Sequence, residues 1–170
     1  MNHEETRCFD CSEGALRRQV VTHDVGALLG VESVTVENMP AAVCDRCGWV
    51  AVDGRLLDDI SMGLAAFILS QPVIDPDEAR YLRRLLGDTQ EELAEHLNLS
   101  RATVNRWETD TKPLDGASAY ALRAHAFLRL QSKSPIIQRA AAALREILPP
   151  RQRRRPYRLN AAECGFRAAV

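Results

Sequence analysis

No stretch of this 170-residue chain approaches the ~20 consecutive apolar residues that a membrane-spanning helix needs. The longest apolar run, Leu64 to Leu69, has the length of a piece of core helix. The first twenty residues hold no basic segment followed by an apolar one, so no secretory signal is expected and the cytosol is the default location. There is no internal repeat, no glycine-rich phosphate loop, and no nucleophile with a base at a recognisable spacing, so catalysis is not expected. What is present in quantity is core material: a hydrophobic content of 46% argues against disorder throughout. In a reducing compartment, five cysteines point to metal before disulfide.

The formal net charge of −1 conceals a gradient. Residues 1–74 carry 5 Lys/Arg against 11 Asp/Glu, residues 75–132 carry 8 against 10, and residues 133–170 carry 9 against 2. An acidic head and a basic tail suggest different partners for the two ends of the chain. The near-neutral sum is therefore no argument against DNA binding.

Four of the cysteines form two Cys-x-x-Cys pairs, Cys8/Cys11 and Cys44/Cys47. Two-residue spacers let both sulfurs of a pair face one ion, and a tetrahedral zinc wants four soft ligands. Gly48, directly after Cys47, suits the tight turn of such a knuckle. The intervening residues, 12 through 43, must then fold as a small sheet whose ends return to the metal. A single reactive Cys-x-x-Cys usually opens a helix in a βαβ context, unlike these pairs with their Val-rich and Gly-rich flanks. Four thiolates close the coordination shell, so the expected role is one structural zinc per chain rather than a catalytic one. Cys164 has no such partner and is expected to be a free thiol. The four histidines (His3, His23, His96, His125) are scattered, each expected to be exposed or packed rather than a ligand.

Short strands are expected around Arg18 to His23 and Ser33 to Val36, punctuated by Gly26, Gly30 and Asn38-Met39-Pro40. Leu56, Leu57, Ile60, Leu64, Phe67 and Ile68 recur at spacings of three and four, which predicts a helix over 54–70. Ser70-Gln71-Pro72 ends it and opens a linker at about 70–75. Asp75-Pro76-Asp77-Glu78 reads as cap, first helical position and capping box. Helices follow at about 76–86, 89–97, 101–108, 116–131 and 135–147. The expected architecture is an α+β zinc-bound domain over 1–70, a small β-sheet plus a helix. An all-α helix-turn-helix domain over 75–148 and an Arg-rich flexible tail over 149–170 follow it. The tail's RQRRRPYR could grip DNA phosphates or an acidic partner surface, or simply be solvated.

The helix-turn-helix reading rests on spacing. Thr89 caps a helix with Glu92 three residues on. Leu93, Ala94 and Leu97 form its inner face, Asn98 falls where a left-handed residue is wanted, and Ser100 caps the next helix. Val104 and Trp107 turn inward. Arg101, Ala102, Asn105 and Arg106 are left outward, and Arg–guanine, Asn–adenine and Ala–thymine-methyl contacts are what a major-groove reader uses. Gln90 is placed to touch a backbone phosphate. Glu91, Glu92 and Glu95 are expected on a solvated face.

The order Cys8-x-x-Cys11, Pro40-Ala41-x-x-Cys44-x-x-Cys47-Gly48, a helix, then LRRLLGDTQEELAEHLNLSRATVNRWE resembles the MqsA/YgiT-type antitoxins over about residues 8–132. The second segment also resembles the wider Xre/Cro-repressor class. The resemblance implies a zinc domain that neutralises a cognate protein toxin, commonly a ribonuclease. It also implies a homodimer that represses its own operon at a palindromic operator on double-stranded DNA. Cys8, Cys11, Cys44 and Cys47 match the zinc ligands, and Gln90, Ser100, Arg101, Ala102, Asn105 and Arg106 match the DNA-facing positions. Two departures stand out: Ala102 where some relatives carry a polar base-reading residue, and an extension beyond about residue 132. Acidic residues of the first domain (Glu32, Glu37, Asp53, Asp58, Asp59) are candidates to meet a basic toxin. A stripe of Ile136, Ile137, Leu144, Ile147 and Leu148 offers either a dimer contact or internal packing. The alternative reading is a stand-alone zinc-containing regulator with no toxin.

Overall fold

The structure, a computed structural model, describes residues 7–109, 114–143 and 157–160. It has the expected class: a small four-stranded sheet with a helix, then a run of helices. In chain order these are β1 (Leu16–Asp24), α1 (Gly26–Leu29), β2 (Val34–Cys44), β3 (Val50–Ala51), α2 (Gly54–Ser70) and α3 (Pro76–Leu86). Then come α4 (Gln90–His96), α5 (Arg101–Glu108), α6 (Gly116–Leu130), α7 (Pro135–Ala143) and β4 (Tyr157–Asn160).

The eleven-residue β2 is the spine of the sheet. Antiparallel β1 flanks one edge from Thr35 to Cys44, and the other edge is shared by β3, opposite Ala42 and Val43, and by β4, parallel to Val34–Glu37. This strand is longer than expected, because Asn38-Met39-Pro40 does not turn the chain. Asn38 takes φ 53° at a bulge where the register with β1 shifts between Val21 and His23. The extra residue changes the parity of the buried positions from Val34 and Val36 to Met39 and Ala41, so the apolar face stays on the core side. Pro40 lies between the segments paired to β3 and β4, where its missing N–H is tolerated. The glycines expected only to punctuate instead bracket one turn of helix. Asp24 staples that turn by accepting from Gly26 N (2.7 Å), Ser33 Oγ (2.7 Å) and Val34 N (3.0 Å).

The sheet covers α2. Asp53 caps this helix by accepting from Arg55 N and Leu56 N, and the helix buries Leu56, Ile60, Leu64, Ile68 and Leu69. At the expected linker the apolar core does not stop. Ile74 is 3% exposed, Tyr81 Oη donates to the Ser61 carbonyl at 2.7 Å, and Arg123 Nη2 donates to the Gln71 carbonyl at 2.5 Å. One contiguous cluster of buried residues runs from Val25 to Ile137.

Two segments differ from expectation. Helix α7, read as part of the helix-turn-helix domain, packs against α2, and Ile137 is fully buried there, the internal-packing alternative for that residue. The tail, read as flexible, supplies β4 at Tyr157–Asn160, because β2 leaves half of one edge unpaired and an extended segment satisfies it. The remainder of the tail, Cys164, His3 and the stripe residues Leu144, Ile147 and Leu148 lie outside the described residues.

If Ile74 belongs to a shared core, Ile74→Ala is expected to cost about 2–5 kcal/mol and to shift a single urea transition. A change within about 0.5 kcal/mol, the value typical of an exposed surface position, would instead mark it as a linker residue.

Candidate metal centre and nucleic-acid interface

The two cysteine pairs, 33 or more residues apart in sequence, meet at one end of the sheet. All four Sγ atoms lie within 4.8 Å of one another, with Cys8 to Cys47 and Cys11 to Cys44 both at 3.7 Å. A tetrahedral ion with metal–sulfur bonds of about 2.3 Å separates its sulfurs by about 3.8 Å, so the donor set fits a closed site that could hold a metal such as zinc.

The knuckles are built alike. Ser12 N donates to the Cys8 carbonyl at 3.0 Å and Gly48 N to the Cys44 carbonyl at 3.1 Å, and both residues take positive φ, 60° and 75°. Gly14 N donates to Cys11 Sγ, and Arg46 N and Cys47 N to Cys44 Sγ, at 3.4–3.5 Å. A Cβ at Gly14 would collide with Cys44 Sγ, so only glycine lets the first knuckle close on the second.

Backbone N–H groups at Glu13 and Gly14 draw the Cys11 thiol down to about 6, and the Cys47 amide lowers Cys44. The Trp49 amide favours a Cys47 thiolate too, but desolvation and the three other sulfurs outweigh it and push Cys47 up to about 12. Four thiolates this close repel one another, and a divalent cation removes that penalty.

In the helical half, Thr89 Oγ1 accepts from Glu92 N at 3.2 Å while Glu92 Oε2 accepts from Thr89 N at 2.7 Å. Asn98 takes φ 54° at the turn, and Ser100 Oγ accepts from Thr103 N at 3.2 Å. Leu93, Ala94, Val104 and Trp107 are buried between α4 and α5. Ser100, Arg101, Ala102, Asn105 and Arg106 are all exposed, on α5 or at its cap. Gln90 is half-buried, and its Nε2 donates to Glu108 Oε2 at 2.9 Å and to Asn105 Oδ1 at 3.4 Å. Its amide therefore orients Asn105 in addition to lying at the start of α4.

A family model described as helix-turn-helix matches residues 80–124, from within α3 into α6. That segment is similar to DNA-binding domains of transcriptional regulators. No curated protein matches the chain.

Two groupings around the helix-turn-helix escaped sequence reasoning. Glu108, 4% exposed, accepts from Arg83 through both carboxylate oxygens, Nε to Oε1 at 2.6 Å and Nη2 to Oε2 at 3.0 Å. Arg80 adds a bond to the Glu108 carbonyl. The only signal was a charge at a position in phase with Val104 and Trp107. The second grouping is Asp88 with His96 and His125, so two of the scattered histidines converge.

Burial alone would raise the Glu108 carboxyl, but Arg83 and Gln90 hold it below the ordinary glutamate range. A carboxyl depressed by folding stabilises fully above its unfolded pKa, about 4.3, and loses that contribution as pH falls through the folded value. Glu108→Gln is therefore expected to destabilise by about 3 kcal/mol near neutrality. Calorimetry across pH is expected to show the gap to wild type closing below about pH 4.

Proposed function

We propose that the chain is a type II antitoxin that doubles as a repressor of its own operon. Its sulfur-lined module, over about residues 1–70, holds one structural zinc and engages a cognate protein toxin. Its helix-turn-helix reads a palindromic operator on double-stranded DNA as a homodimer. The observation that carries this reading is the combination in one chain of a tetrahedrally spaced Cys8/Cys11/Cys44/Cys47 set and an exposed Arg101–Ala102–Asn105–Arg106 face. The segment 75–148 is assigned to DNA reading and pairing, and zinc is assigned because borderline divalent ions favour closed thiolate sets.

Each part has a physical role. Arg101 and Arg106 bring guanidinium forks to guanine edges or phosphates, Asn105 presents an amide suited to adenine, and Ala102 leaves room for a thymine methyl. Ser100 and Gln90 sit beside the backbone track, at the N-termini of α5 and α4. One such helix reads few base pairs, so two copies on half-sites about 34–36 Å apart are needed for specificity. Tyr120 and Leu128, 65% and 66% exposed and two turns apart on α6, support pairing there.

Around the metal module, Phe9 (77% exposed) stacks edge-on against Trp49, an apolar anchor of the kind a protein partner covers. Among the acidic candidates, Glu32, Asp53 and Asp58 are exposed, and Asp53 also caps α2. Toxin contact is assigned to Glu32 and Asp58 on exposure and negative charge.

A second reading, a stand-alone regulator whose zinc module only packs, is favoured by the continuous core joining that module to α3. Co-expression with the adjacent open reading frame and native mass spectrometry decides between them. A complex holding the neighbour, one cysteine-bound zinc per subunit and an even number of these chains supports the antitoxin. A zinc-loaded homodimer alone supports the second reading.

Glu32→Lys with Asp58→Lys is expected to abolish toxin neutralisation while leaving operator affinity intact, and unchanged toxin binding would sink the charge assignment. Asn105→Ala is expected to weaken operator binding by about 1–3 kcal/mol in a titration at fixed salt, with the dimer unaffected. Leu128→Glu is expected to give a folded monomer by analytical ultracentrifugation.

A further inference from the structure

A second set of metal-type donors lies on the helical side, away from the cysteines. Asp88, 7% exposed, follows α3, His96 ends α4, and His125 projects from α6. One atom of each falls within 4.8 Å of the others. His125 Nε2 stands 3.2 Å and His96 Nδ1 3.5 Å from the same carboxylate oxygen, Asp88 Oδ2. The two rings lie side by side, centroids 4.8 Å apart and planes tilted by 30°.

Two features suit this cluster to a metal ion. The first is charge. Arg129 Nη1 already lies 3.4 Å from Asp88 Oδ1, so a counter-ion for the carboxylate is in place. The carboxylate thus has a cationic partner that is neither of the two imidazoles. Neutral imidazoles keep lone pairs, which is the form that ligates metal. The second is spacing. Bonds of about 2.0–2.2 Å to imidazole nitrogen and carboxylate oxygen place neighbouring tetrahedral donors about 3.3–3.5 Å apart. The two nitrogen–oxygen separations match. Two nitrogens and one oxygen make an incomplete shell that water can finish, and the His96 side chain is 43% exposed.

We propose that Asp88, His96 and His125 form a second metal site, for a borderline divalent ion of the zinc class, with Arg129 orienting the carboxylate from its other oxygen. The ion ties the C-terminal end of α4, where the helix-turn-helix turn begins, to the scaffold helix α6. The site stands independently of the cysteine set and of the toxin partner.

The test uses the full chain already loaded with one zinc per cysteine set. Zinc is added, unbound metal is removed by gel filtration, and the bound metal is counted by elemental analysis and native mass spectrometry. Wild type is expected to retain two zinc ions per chain, and His96→Ala and His125→Gln one each. Because His96 is partly exposed, His96→Ala is expected to fold, which circular dichroism checks. Cobalt titration gives a second readout: the second equivalent is expected to add weak visible bands without further sulfur charge-transfer absorption, and to do so only in wild type. One metal per chain in wild type, or two retained by a folded His96→Ala, overturns the proposal and leaves a hydrogen-bonded cluster.

Discussion

Four successive positions of α2, Gly63 to Ala66, are buried, and a helix with no wet side there must be covered from every direction. The sheet covers one side, and α3 and α7 reach the others. Everything else is arranged around that requirement. The sheet needs α2 to bury its apolar face, and α5 packs on α3, which is bonded to α2 through Tyr81 and Ser61. At about 25 cal/mol per Å2 of apolar surface, a segment buried on all sides, as Gly63–Ala66 is, contributes strongly to holding the fold together. It turns two sequence modules into one body.

On that body α5 is anchored through a buried carboxylate as well as through Val104 and Trp107. Glu108 receives Arg83 from α3 and Gln90 from α4, so three helices converge on one charge. A buried pair of this type adds little net stability over an apolar substitute, but breaking one partner is costly. Its use is positional: Gln90 also reaches Asn105, so the orientation of an exposed amide is set by a bond network rooted in the core. A helix held in this way loses less freedom on meeting a partner than a loosely docked one would.

Helix boundaries were legible because their signals are local. Asp75 with Glu78, Thr89 with Glu92, and Ser100 announce three helix starts within four residues each, and the structure has them. The cysteine cluster was legible because two-residue spacing constrains sulfur geometry whatever lies between the pairs. What depended on distant partners was not. Asn38-Met39-Pro40 looks like a turn unless β1 is known to run alongside and absorb the bulge. His96 and His125 are 29 residues apart and adjacent only because α4 and α6 pack on the same scaffold. Arg83 and Glu108 are 25 apart, and nothing local marks either as a partner.

The parallel strand β4 has a consequence in time. Val34 pairs with Tyr157, so the edge of β2 is closed by a segment made 123 residues later in the chain. Until that segment emerges, the outer edge of β2 beside Val34–Glu37 presents unpaired amides and carbonyls, a template for wrong pairing or a handle for proteases. The nascent sheet thus stays open while the helices from α2 to α7 are being made.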